Sequence, residues 1–148
     1  MRSFEDYKVG ETFQTASRTI TPEEVDRFVE YIGVRNPLFL DPKHASKSHF
    51  KTRIIPGFLT QSLALGLLYR PEIIEYFLLV EARTRFLKPV HVGDSIHVDG
   101  KVAEKKTRPE DKAGLLTLQT QILNQDLVKV ADMSLIISIL KQTHPPQQ

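Results

Sequence analysis

The groups able to do chemistry in this 148-residue chain are few and scattered. There is no cysteine, which removes thiolate nucleophiles, disulfide scaffolding and the usual structural zinc sites together. The five histidines are His44, His49, His91, His97 and His144. No pair of them has a metal-ligand spacing with carboxylate support, so no metal is expected. His44 and His49 fall on a short polar segment where an imidazole is ordinarily solvated, His91 and His97 flank a turn, and His144 is near the end. Gln61 and Ser62 could position a water, but a neutral amide or hydroxyl is a poor general base. One backbone group completes the set. Gly57, after Pro56, opens a predicted helix, so its N–H is an orphan donor able to meet a carbonyl oxygen. The same Pro-Gly pair can equally serve only to start a helix and let it approach a sheet.

Charge narrows the partners. Twenty basic against eighteen acidic residues give a formal +2, too even for nucleic acid or an anionic membrane as main partner. Lys101, Lys105, Lys106, Arg108 and Lys112 cluster near a predicted hairpin end, where they either attract phosphates or form a solvated tip. Arg35 and Arg53 lie closer to the loop discussed below. The opening Met1-Arg2-Ser3-Phe4-Glu5-Asp6-Tyr7 is acidic and has no apolar centre, unlike a secretory signal. The longest apolar stretches, Ile73 to Val80 and Leu135 to Leu140, fall far short of the roughly 20 residues that span a bilayer. A soluble, cytoplasmic protein is expected.

The elements that must position these groups follow from periodicity. Thr12 to Ile20 reads as one short strand. Thr21-Pro22-Glu23-Glu24 then supplies a capping Thr, a Pro at the first helical position and a Glu at the third. Val25, Phe28, Val29 and Ile32 share one face of the helix that follows, with Glu30 on the opposite, solvated face, and Gly33 ends it. Asn36-Pro37 and Asp41-Pro42 predict a loop from 34 to 42. From Pro56-Gly57 to Tyr69 apolar residues occupy nearly the whole helical circumference, which predicts a buried helix. Period-two patterns follow at Val80 to Phe86, Ile96 to Val102, Leu116 to Ile122 and Ala131 to Ile139, with turns at Gly93-Asp94, Lys105 to Lys112 and Asn124-Gln125-Asp126. With 41% apolar residues this suits one α+β domain over residues 1–142. Residues 143–148, Thr-His-Pro-Pro-Gln-Gln, have nothing to bury and are expected to form a disordered tail. Periodicity alone supports any two-layer α+β sandwich.

Three segments carry something narrower. Phe28-Val29-Glu30-Tyr31-Ile32-Gly33-Val34-Arg35-Asn36-Pro37-Leu38-Phe39-Leu40-Asp41-Pro42 resembles the signature of MaoC-like (R)-specific enoyl-CoA hydratases. Phe50 with Arg53-Ile54-Ile55-Pro56-Gly57-Phe58-Leu59 resembles the family's entry to its central helix. Phe86-Leu87-Lys88-Pro89-Val90-His91-Val92-Gly93-Asp94 is similar to the strand and turn after that helix. The resemblance implies a hotdog fold, a curved antiparallel sheet wrapped around a central apolar helix, paired into a homodimer. It also implies an acyl-CoA or related acyl thioester as ligand or substrate, with no other cofactor.

In active members of that family an Asp and a His activate water for addition to an enoyl thioester, while a backbone N–H at the central helix polarises the carbonyl. By the resemblance those two positions are Val34 and Phe39 here, and a further family His corresponds to Pro56. The positions implied to contact the acyl thioester are Asn36, Phe39, Pro56, Gly57 and Phe58, with Leu59 beside them. The central helix also lacks the Glu found in hotdog dehydratases acting on acyl carrier protein, since Thr60-Gln61-Ser62 stands there. The expectation is an acyl-CoA protein with weak or no hydratase activity, or else a non-catalytic sensor or structural subunit of a larger hotdog assembly.

Overall fold

The computed structural model describes residues 1–143. The expected tail, Thr143 apart, lies outside the described residues.

The first helix forms where the capping signals place it. In α1 (Pro22–Ile32) the Glu24 N–H donates to Thr21 Oγ1 at 3.3 Å, and the Thr21 N–H donates to Glu24 Oε2 at 2.8 Å. Two orphan donors are thereby satisfied reciprocally. Gly33 ends the helix at φ 76°, a left-handed conformation glycine adopts without steric cost. Val25 and Val29 are buried beneath it.

Two expectations about the N-terminal half need correction. The single strand over 12–20 is two pieces, β1 (Thr12–Gln14) and β2 (Arg18–Thr19). The Thr15 N–H still donates to Val98 O at 2.9 Å, but the return bond from the Val98 N–H goes to Thr15 Oγ1 instead of a backbone carbonyl, and the regular ladder is interrupted until β2. The loop over 34–42 contains one short helix and starts another, α2 (Pro37–Leu40) and α3 (Pro42–Lys47). The two prolines begin helices. Asn36 Oδ1 accepts from Leu38 N–H at 3.0 Å and Asp41 Oδ1 from Lys43 N–H at 2.9 Å, so each Asx-Pro pair supplies a capping acceptor and a pre-set φ.

The central helix α4 (Gly57–Leu68) is followed by β3 (Leu78–Phe86), β4 (Ser95–Lys106), β5 (Ala113–Leu123) and β6 (Lys129–Leu140). They form an antiparallel sheet in the order β1-β4-β5-β6-β3, with β2 also pairing β4. Alternation sorts its faces. Ile96, Val98, Leu116, Leu118, Met133, Leu135 and Ile137 are buried, and they form one core cluster with Leu59, Ala64, Leu67 and Leu68 of α4. Each such side chain contributes about 1.5–3 kcal/mol by leaving water. The alternate positions Asp99, Lys101, Gln119, Gln121, Asp132 and Ser134 are polar and line the opposite face. This is the hotdog arrangement of an α+β chain.

The helix is not buried all round, as its composition suggested. Phe58 is 71% exposed. At the end of the sheet order, β3 pairs, among the described residues, only with β6. Its register shifts between Leu79 and Glu81, and Leu78 and Val80 are 74% and 57% exposed. Among the described residues no helix is long and apolar enough to cross a membrane.

Candidate functional site

The site is assembled by a loop that folds back on itself. After Gly33, the Val34 N–H donates to Val29 O at 3.0 Å, and the Asn36 cap starts α2. The following Phe39 is held from behind: Arg53 Nε donates to its carbonyl at 2.8 Å, while the Arg53 guanidinium pairs with Asp26 of α1. The returning chain is pinned on both sides. Ile54 N–H donates to Leu38 O, Ile55 N–H to Val90 O at 2.8 Å, and Val92 N–H to Arg53 O at 2.9 Å. Loop, helix entry and the segment after β3 therefore converge at one end of α4.

Between them lies a pocket of about 450 Å³. Phe39, Phe50, Ile54, Thr60, Phe86 and Val130 contribute to its walls, and Gly57 lies where α4 begins. Among the described residues no carboxylate or imidazole lines it, and Lys88 is its one charged side chain. Gly57 is the first residue of the helix, so its N–H has no intrahelical acceptor. The Phe86 ring crowds it: a Cβ at position 57 would stand 2.9, 3.0 and 3.1 Å from three ring carbons. Any larger residue there would have to displace the Phe86 ring.

Of the residues singled out in the sequence, Phe39 and Gly57 line this pocket. Pro56 is buried immediately before the helix. Asn36 acts as the α2 cap, Val34 is half-buried at the start of the loop, and Phe58 points into solvent. Leu59 is core. Ser62 Oγ donates to Phe58 O within its own helix, and Gln61 is half-buried.

Thr60, Phe86 and Lys88 were not anticipated as site residues. Phe86 belongs to the alternating row of β3 whose inward face was legible, but its meeting with Gly57 depends on how strand and helix pack.

The histidines are dispersed. His49 packs against Phe50, with ring centroids 3.9 Å apart and the planes tilted by 37°, and does not itself line the pocket. His91 Nδ1 lies 2.7 Å from Thr52 Oγ1. His97 Nε2 is buried without a hydrogen bond, 3.5 Å from Asp99 Oδ1 on β4. His44 is exposed, and His144 lies outside the described residues. Among the described residues no three His, Asp or Glu side chains converge as metal ligands.

The basic cluster is likewise elsewhere. Lys105 Nζ is taken up by the carbonyls of Phe4 and Tyr7, at 2.9 and 2.5 Å, and Lys101 lies on the polar face of the sheet. The carboxylates held below their ordinary range belong to caps and to the N-terminal hook. Glu24 is lowered by the Thr21 N–H and by Arg18; Asp6 is lowered by the backbone and hydroxyl of Ser3. Neither lines the pocket.

Comparison with known proteins decides the family. Residues 5–121 match the model of the MaoC like domain. The chain belongs to that family. The match spans the site loop, α4 and every pocket wall except Val130. This MaoC-like domain is 33% identical over 101 residues to a 3-hydroxybutyryl-CoA dehydratase of Methylorubrum extorquens, covering 68% of this chain and 64% of that one. It is 31% identical over 99 residues to the protein MaoC of Klebsiella aerogenes, covering 64% of this chain and 29% of that one. The chain thus matches less than two thirds of the length of either relative. Among solved structures, the (R)-hydratase from A. caviae involved in PHA biosynthesis superposes with a TM-score of 0.77 at 26% identity, covering 90% of this chain and 97% of that one.

Proposed function

We propose that this MaoC-like domain binds acyl-CoA thioesters and catalyses hydration of an enoyl thioester weakly or not at all. The observation that supports this is the pocket at the head of α4, largely apolar on its walls and, among the described residues, free of carboxylate and imidazole, with Gly57, the first residue of the helix, in its lining. Apolar walls suit an acyl chain, and a helix N-terminus suits a carbonyl oxygen that gains negative charge. Hydration also needs a group that takes and returns a proton within hydrogen-bond reach of the attacking water. By the family resemblance that work falls to positions 34 and 39, where Val34 and Phe39 can do neither. The MaoC-like family and its relatives named as dehydratase and hydratase supply the substrate class. A cytoplasmic location goes with this reading.

A second reading, a non-catalytic partner in a larger hotdog assembly, has its own observation. The free side of β3 presents Leu78 and Val80 to solvent, and an apolar strand edge of this kind is ordinarily covered by another strand. Pairing with a second copy across β3 would make a homodimer with one continuous sheet.

One preparation tests the central claim. Calorimetry with crotonyl-CoA is expected to show binding, and loss of enoyl absorbance is expected to be slow or absent. Turnover in the ordinary enzymatic range of roughly 1 to 1000 per second would overturn the proposal. So would absence of any binding.

A further inference from the structure

Phe86 is the residue whose position the acyl-thioester reading leaves unexplained. It is the last residue of β3, paired with the buried Ala131 of β6. Phe86, Thr84 and Ala82 share the β3 face that meets the buried row Ala131, Met133 and Leu135. The residue is nevertheless 49% exposed, so the core does not enclose it on every side. Three of its ring carbons crowd Gly57, and it lines the same pocket as Phe39 and Thr60.

We propose that Phe86 is a specificity-determining residue that excludes acyl groups carrying a substituent on the carbon next to the thioester carbonyl. The inference rests on the acyl-CoA reading of the pocket. If the carbonyl oxygen approaches the Gly57 N–H, the atoms nearest the Phe86 ring are the carbonyl carbon and the adjacent C2. An unbranched chain passes the ring, and a methyl branch on C2 meets it. The far end of the chain, along the apolar walls, is indifferent to it. A single misplaced methyl group in a close-fitting apolar site discriminates by about 10- to 200-fold.

The test uses saturated, unreactive thioesters: butyryl-CoA, 2-methylbutyryl-CoA and octanoyl-CoA. Their dissociation constants are measured by calorimetry on the wild-type protein, Phe86→Leu and Phe86→Ala. Wild type is expected to bind 2-methylbutyryl-CoA at least about tenfold more weakly than butyryl-CoA. In both variants that ratio is expected to fall towards one, while the ratio of octanoyl- to butyryl-CoA stays as in wild type. Phe86→Leu retains apolar packing at the strand end, and a circular-dichroism melt of each variant shows that it is folded. An unchanged branched-to-unbranched ratio in a folded variant overturns the inference alone. A shift in the octanoyl ratio of equal size also overturns it, because the ring would then face the chain terminus. If wild type binds none of the three, the acyl-CoA reading falls and this inference with it.

Discussion

Arg53 Nε donates to the carbonyl of Phe39 at 2.8 Å, joining the segment that enters α4 to the loop that carries a pocket wall. The Arg53 side chain is 10% exposed, whereas its ion-pair partner Asp26 is 56% exposed. The hydrogen bond from a charged donor to a half-buried carbonyl should matter more than the solvent-screened ion pair. Arg53→Met is therefore expected to lower stability by about 1.5–3 kcal/mol, against less than ~1 kcal/mol for Asp26→Asn. Denaturant unfolding of the two variants measures both. Equal losses would show that the ion pair, rather than the contact with Phe39, holds the loop.

Installing at positions 34 and 39 the proton-transfer residues that the family resemblance implies there tests whether the rest of the site is competent. Val34→Asp with Phe39→His is expected to raise crotonyl-CoA hydration on the order of 100-fold or more over the parent, with either change alone giving much less. Phe39 already lines the pocket, whereas Val34 is half-buried one residue after the helix cap, so the Asp must bear some desolvation. A thermal melt accompanies the kinetics. A folded double variant that binds acyl-CoA and is no faster than its parent would favour the non-catalytic reading.

The exposed edge of β3 predicts the state of association. Sedimentation at micromolar concentration is expected to show a dimer. Val80→Lys, at the register shift of β3, is expected to weaken dimerisation by about 30-fold or more, the effect of losing an interface hot spot worth ~2 kcal/mol. A monomeric wild type would remove the β3 pairing. An unaffected Val80→Lys dimer would place the contact elsewhere.

Acid stability should report the cap of α1. The folded-state pKa of Glu24 lies below its ordinary value, chiefly because the carboxylate accepts the Thr21 N–H and then because Arg18 faces it. A carboxylate depressed on folding contributes stability that is present above its unfolded pKa and lost as pH falls through the folded one. Unfolding midpoints should therefore drop below roughly pH 4.3, the unfolded glutamate range. Glu24→Gln should flatten that decline while lowering stability at neutral pH. Parallel pH profiles for the two proteins would remove Glu24 from the account.

Much of the architecture was legible because it rests on local chemistry. The Thr21 cap, the glycine that ends α1, the period-two rows of four strands and the turn at Gly93 depend on residues within a few positions of one another. Of the two errors in the first half, one is also local. Asn36-Pro37 and Asp41-Pro42 contain both a helix breaker and a helix starter, and which one acts depends on whether the Asx side chain turns back onto the backbone. The split of the first strand depends on a distant partner: the Val98 N–H goes to the Thr15 hydroxyl while the Thr15 N–H still donates to Val98 O.

By itself the sequence determined the family signature, the α+β order and the absence of proton-transfer groups at positions 34 and 39, because each is a matter of residue type and short spacing. Only the tertiary structure decided which residues share the pocket. Gly57 and Phe86 are 29 positions apart and meet because a strand end packs over a helix start; Lys105 is drawn to the N-terminal carbonyls and does not line the pocket. Phe58, which composition placed inside, stands outside. A helix apolar on every side cannot report which side a one-layer sheet will cover, since burial is set by the neighbours that fold brings to it and not by hydropathy alone.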